Sequence, residues 1–192
     1  MKKAHHHGAL KQALIDAALD LLDAEGVEAV TIRAVARQAG VSHAAPVNHF
    51  ADRRALLTGV AIFCFEELQQ AIAATGIREM SDAREKMLAF VDAFYNYGLN
   101  NPNRYRLMWR QDMLDSSDVK LTEMTEKLFG HVTNMITEFG DPPNISIMSR
   151  VVAACSIIHG YVLLRIDGNF IGFADEKTGH PRHIALIEAL LP

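Results

Sequence analysis

Between Ser42 and Arg53 the chain gathers side chains suited to a polyanion and to base edges. His49 and Arg53, four residues apart, are both able to clamp backbone phosphates, which positions a protein on DNA without reading its sequence. His43, Ala44, Ala45 and Asn48 precede them. An asparagine pairs bidentately with adenine in the major groove, and alanine methyl groups touch thymine methyls, so these four are the candidates for base readout. Ser42 is placed to cap a short helix carrying them, and the positive end of such a helix favours a nearby phosphate.

Other groupings point nowhere comparable. Ser156, His159 and Asp167 can be strung into a nominal triad, but no nucleophile elbow or oxyanion glycine pattern accompanies them. There is no phosphate-cradling G-x-x-x-x-G-K and no dinucleotide fingerprint, so the expectation is no enzyme, no catalytic residue and no cofactor. Cys64 and Cys155 each sit in an apolar helical pattern and outside any C-x-x-C pair, as buried small hydrophobes do. His5, His6 and His7 read as part of an expression tag or as a weak metal site, the latter without a carboxylate or cysteine at ligand spacing; no metal is expected. Charge is uneven along the chain: residues 1–58 carry seven Lys/Arg against six Asp/Glu, and the remainder twelve against seventeen. A polyanion is therefore to be met by the N-terminal part.

The elements that must position these residues are helices. Leu10, Ala13, Leu14, Ala17, Ala18, Leu21 and Leu22 recur at three- and four-residue steps and mark one face of a first helix that stops at Gly26. Thr31 caps a second, short helix through Arg37, Ala39-Gly40 supplies a turn, and Ser42 opens a third helix through Asn48. Two short helices joined by a glycine-bearing turn make a helix-turn-helix. Helical periodicity then resumes over roughly 52–75, 81–100, 103–113, 117–139, 144–167 and 182–191, broken at Asp141-Pro142-Pro143 and between Gly168 and Pro181. The fold class is all-α with about nine helices: a three-helix DNA-binding domain over residues 1–51 and a helical ligand-binding and dimerisation domain over 52–192. With 49% hydrophobic and 22% charged residues, no apolar run of about 18 residues and no signal-like start, a cytoplasmic protein with no membrane partner is expected.

The stretch from Thr31 to Leu57 resembles the DNA-binding core of the TetR family. Ala39, Gly40, Val41, Ser42, His49, Phe50, Arg53, Leu56 and Leu57 fall in that pattern's register, and the upstream helix ending in Asp23-Ala24-Glu25-Gly26 fits it. The resemblance implies further backbone contacts from Thr31 and Arg33 where the second helix opens. Val47 stands where the family usually has a Tyr whose hydroxyl grips a phosphate, and Asn48 or Arg54 is left to make that contact. Some relatives carry a His-Gly leader like His5-His6-His7-Gly8 as an arm near the DNA. Cys155-Ser156-Ile157-Ile158-His159-Gly160 is similar to the C-terminal signature of a subgroup named for Trp, His and Gly, with Cys155 in the place of the Trp.

The resemblance further implies a ligand-responsive regulator, most simply a repressor, that binds a pseudo-palindromic operator as a homodimer and is released by a small, largely apolar effector. The alternative is a ligand-binding protein of the same fold with weakened DNA binding. Phe63, Phe94, Tyr97, Trp109 and Met113 are the candidates for an effector wall, being large, adaptable or able to offer a polar tip. His159 reads as a packing residue rather than a ligand contact. For the dimer, Ile147, Val151, Ala154, Ile158 and Val162 form an apolar stripe, and Ile184, Ile187 and Leu190 add a second contribution.

Overall fold

The computed structural model describes residues 3–140, 143–170 and 172–191, the side chains of residues 3–8 excepted, so those of His5, His6 and His7 lie outside the described residues. Among the described residues the chain is all-α: eight α-helices run in order as α1 (Lys3–Glu25), α2 (Ile32–Gln38), α3 (Arg53–Ala73), α4 (Ala83–Asn100), α5 (Pro102–Met108), α6 (Val119–Glu138), α7 (Ile147–Ile166) and α8 (Arg182–Glu188). Short 3-10 turns occur at Val27–Ala29 and Pro46–Asn48. The expected segments match these elements to within a few residues, with two shortfalls at C-terminal ends, at Met108 and Glu188.

The third helix is the real departure. Residues 43–45 form a turn and Pro46–Asn48 a single 3-10 turn. Pro46 has no amide proton to give to Ser42, so the first α-type bond of a helix opening at Ser42 cannot form. The chain tightens instead: the Ala45 amide donates to Ser42 O at 3.0 Å, and Pro46 O accepts from both His49 and Phe50 at 2.9 and 2.8 Å. With the helix goes its cap. No side chain caps the turn, and the Ser42 carbonyl rather than its hydroxyl takes the bond.

Two compact units can be distinguished: residues 1–65 with 101–122, and residues 66–100 with 123–192. In the first, α1 buries Leu14, Ala18 and Leu22 and ends at Gly26, whose φ of 83° is the left-handed conformation that closes many helices. Thr31 caps α2 as expected, its hydroxyl accepting from Ala34 N at 3.1 Å. The start of α5 is tied to the end of α1, where the Arg104 guanidinium pairs with Asp23 and Asn103 donates to Asp23 O. Val35, Ala36, Phe50, Leu56, Leu57, Val60, Phe65, Tyr105 and Met108 complete this core.

In the second unit α4 packs on α7 and α8, and those two pack on each other. Phe90 stacks on Phe94 at 5.9 Å, and His183 lies flat against Tyr95 at 3.9 Å while its Nε2 meets Asp92 at 2.9 Å. Arg165 on α7 reaches the Tyr95 hydroxyl at 3.2 Å. Ser146 caps α7 through Ser149 N. Among the described residues two helices, α3 and α7, are long and apolar enough to cross a membrane by length and composition alone. For α3 more than half of that apolar window is buried within the chain, but for α7 only 28% is, so α7 keeps an apolar face that this chain does not cover.

Candidate nucleic-acid interface

The turn that replaces the third helix is anchored from beneath. Pro46 and Phe50 are buried, and Gly59 on α3 lets the Phe50 ring come close: a methyl group there would sit 2.9 Å from Phe50 Cε1 and 3.2 Å from Ile15 Cδ1. Lys11 of α1 lies over the same ring at 5.8 Å. Around this anchor Thr31, Arg33, Ser42, His43, Ala44, Val47 and Asn48 are exposed, while Ala45 and His49 are half-buried. Val47 is 56% exposed, an apolar side chain that the chain's own packing does not use.

Two arginines are committed elsewhere. The Arg53 guanidinium donates to Val30 O at 2.8 Å and Val27 O at 2.6 Å and meets Glu28 at 3.3 Å, so it ties the start of α3 to the segment between α1 and α2. Arg54, named above as a substitute for the missing Tyr contact, donates to Leu114 O at 3.1 Å and Asp112 O at 3.0 Å. Beside it Thr58, 2% exposed, donates to Arg54 O and accepts from Asp115 N, which seats the segment after α5 on α3. Nothing in the local sequence marked Arg54 or Thr58 for this. Their partners lie about 60 residues downstream, and only an Arg-Arg pair and a polar residue inside an apolar helical run hinted at buried bonding.

Each candidate effector-wall residue has a definite neighbourhood. Phe94 stacks on Phe90, the Tyr97 hydroxyl donates to Glu67 at 3.3 Å, and Trp109 packs edge-on against Phe65 at 5.6 Å and tilted against Tyr105. Phe63 and Met113 are half-buried. Tyr105 is fully buried, and that burial drives its phenol pKa far up, so it stays neutral. His159 is half-buried and its pKa is lowered by burial. Ser156 and Asp167 are exposed and eleven residues apart along one helix, roughly 16 Å of axis, too far for a triad.

The stripe expected to face a partner chain faces inward instead. Val151, Ala154, Ile158 and Val162 are 0–6% exposed, and Ile187 of α8 is 1% exposed. The α4 and α8 helices of the same chain consume that face. Ile147, Ile184 and Leu190 remain half-buried. On the other side of α7, Met148 and Val152 are each 51% exposed, and half-buried Cys155 and His159 continue the row at the three- and four-residue steps of a helix face.

Comparison with known proteins decides the family. Residues 87–187, more than half of the chain, match the family model described as the tetracyclin repressor-like C-terminal domain, and residues 14–60 match that of bacterial regulatory proteins of the tetR family. The chain belongs to the TetR family. It is a transcriptional regulator with an N-terminal DNA-binding domain and a C-terminal ligand-binding domain, in a family of regulators and not of enzymes. An uncharacterised HTH-type transcriptional regulator of Mycobacterium tuberculosis is 25% identical over 158 residues, 82% of this TetR chain and 71% of that protein. The HTH-type transcriptional regulator BetI of Stenotrophomonas maltophilia is 24% identical over 174 residues, 88% and 86% of the two chains. Among solved structures, a Rhodococcus sp. RHA1 protein of unknown function superposes with a TM-score of 0.76 at 27% identity, over 98% of this chain and 95% of that one. The TetR-family regulator PfmR of Thermus thermophilus shares the fold with a TM-score of 0.67 at 19% identity, over 93% and 96%.

Proposed function

We propose that this TetR-family regulator is a cytoplasmic repressor that binds a pseudo-palindromic operator as a homodimer and leaves it when a small effector binds. The observation that carries the DNA half is the exposed set on and around one anchored turn. His43, Ala44, Val47 and Asn48 stand outward while Pro46 and Phe50 hold the turn from within. In this reading His43, Ala44, Ala45 and Asn48 meet base edges, Val47 adds an apolar contact, and Thr31, Arg33, Ser42 and His49 meet phosphates. Arg53 meets a phosphate as well, while its guanidinium also ties the start of α3 to the segment between α1 and α2. The division of labour falls near residue 51, with DNA contact before it and effector binding and dimerisation after it.

The homodimer reading is supported by the row that α7 leaves partly uncovered by its own chain, exposed Met148 and Val152 followed by half-buried Cys155 and His159, with Ile145 and Leu164 also exposed. A second copy packing antiparallel on this row, with Ile147, Ile184 and Leu190 at its margin, makes a four-helix contact of the apolar kind that obligate dimers use. The effector is assigned to the helical C-terminal part, with Phe63, Phe94, Tyr97, Trp109 and Met113 as wall candidates. A second reading, a ligand-binding TetR-fold protein with weakened operator binding, is favoured by Val47 alone, since a valine offers no hydroxyl to a phosphate.

A gel shift with the DNA flanking the protein's own gene, together with sedimentation at micromolar concentration, tests the proposal. The expected result is a retarded complex, a dimer in solution, and a monomer with poor operator binding on Val152→Glu. A monomeric wild type overturns the dimer, and a dimer with no shift on any flanking DNA favours the second reading.

A further inference from the structure

In the second unit a cavity of about 180 Å³ lies between the last turn of α3, the turn that follows it, the start of α4 and the C-terminal half of α6. Its lining combines apolar Ile72, Ile77 and Met135 with cationic Arg78, Lys86 and Lys127, and no Asp or Glu among the described residues lines it. Lys86 is neutralised by Glu138 at 2.9 Å, but Arg78 and Lys127 form no ion pair among the described residues. His131 follows Lys127 by one helical turn, and its Nδ1 is sealed from solvent without a hydrogen-bond partner among the described residues. Burial first, and then the charges of Lys127 and Arg78, lower the pKa of that imidazole, so it faces the cavity as a neutral group.

Arg78 and Lys127 are both exposed, so water screens their mutual repulsion, and what they offer an anion is hydrogen-bond donors that no carboxylate among the described residues already occupies. The guanidinium fork of Arg78 suits the two oxygens of a carboxylate. An inorganic anion would leave the isoleucines and the methionine without a role. The volume is far above the roughly 10–15 Å³ that one water requires and below the roughly 300 Å³ at which drug-sized sites begin, which selects a small molecule. We propose that this cavity binds a small organic monocarboxylate, its carboxylate held by Arg78 and Lys127 and its hydrocarbon part against Ile72, Ile77 and Met135. None of the wall candidates Phe63, Phe94, Tyr97, Trp109 and Met113 lines this cavity, so as the effector site it takes the place of that wall; it gives the effector a chemical class and rests on the regulator reading for that role alone. Ile72 belongs to the last turn of α3, the helix whose first turn follows the recognition turn, so an acid bound there holds the helix that a release mechanism must move.

The test is calorimetric titration of the full-length protein with butanoate, hexanoate and octanoate, against the matching primary amides and inorganic phosphate, with His131 followed by NMR. At least one acid is expected to saturate the protein about tenfold more tightly than its amide or phosphate, about 1.4 kcal/mol. Arg78→Gln and Lys127→Gln should each weaken it by about the same factor while leaving the melting temperature near that of wild type, and the bound acid should raise the pKa of His131. Equal affinity for acid and amide, equal affinity for phosphate, no binding of any acid, or indifference to both substitutions would each overturn the site. An operator shift run with the same acids separates the two readings. Binding with the stated dependences but no operator release upholds the site and removes its effector role, whereas loss of the site leaves operator binding unaffected.

Discussion

Arg53 stands beside the recognition turn as a cation, and in the fold it spends its donors on the carbonyls of Val27 and Val30. Removing it leaves two acceptors without a charged donor, a loss of about 1–3 kcal/mol. Arg53→Ala should therefore lower the melting temperature by several degrees, at roughly 2–4 °C per kcal/mol for a chain of this size, and weaken operator binding for all sequences alike. Asn48→Ala is expected to behave oppositely. The side chain is exposed, so stability should hold within about 0.5 kcal/mol while preference relaxes at one or two base positions. A uniform loss of affinity with an unchanged consensus would remove Asn48 from base readout. The residue types of the candidate site were legible in the sequence as a Ser, an Asn, a His and an Arg at fixed spacing, but not that Arg53 also serves the fold. The acceptors of Arg53 lie 23 and 26 residues upstream, and only the tertiary fold brings them within reach.

At the scale of elements, periodicity found nearly every helix but not which face meets what. The row Val151, Ala154, Ile158 and Val162 looks the same in sequence whether α4 of the same chain or a partner's helix covers it, and α7 is apolar on both sides. The recognition turn departs from its sequence pattern for a simpler reason. Capping and composition favour a helix from Ser42, but Pro46 falls where its missing amide proton breaks the first bond. Gly59 passes as an ordinary small residue, yet a Cβ there would press on the Phe50 ring at 2.9 Å. Gly59→Ala, normally favourable in a helix, should here destabilise by about 1–3 kcal/mol, because the Phe50 ring is buried and Ile15 closes the other side. A melting temperature equal to or above that of wild type would mean that the ring shifts without cost.

The whole molecule responds to pH through groups that the fold desolvates. His131 and His159 both have lowered pKa values, burial being the first cause in each, so the folded chain binds these protons more weakly than the unfolded chain. Stability should thus be greatest above the ordinary histidine range near pH 6.5 and fall as pH drops through it. Asp175, held low by the amides of Thr178 and Lys177, acts in a separate and more acidic window: its contribution is present above the ordinary carboxylate range and is lost as pH falls through the lowered value. Thermal melts from pH 7.5 to 5.5 should show a decline that His131→Gln and His159→Gln together reduce; a flat profile would show that these histidines titrate alike folded and unfolded. The charge asymmetry along the chain was legible from composition and agrees with DNA contact at the N-terminal end. The cationic cavity was not legible, since Arg78, Lys86 and Lys127 are spread over three elements. The most direct test of the central claim is selection of binding duplexes from a random pool by the full-length protein. Two recognition turns related by a dimer axis should enrich a pseudo-palindrome with half-site centres about one helical turn, roughly 34–36 Å, or a little more apart. Enrichment of a single unrepeated half-site, or of no sequence at all, would contradict a dimeric operator-binding regulator.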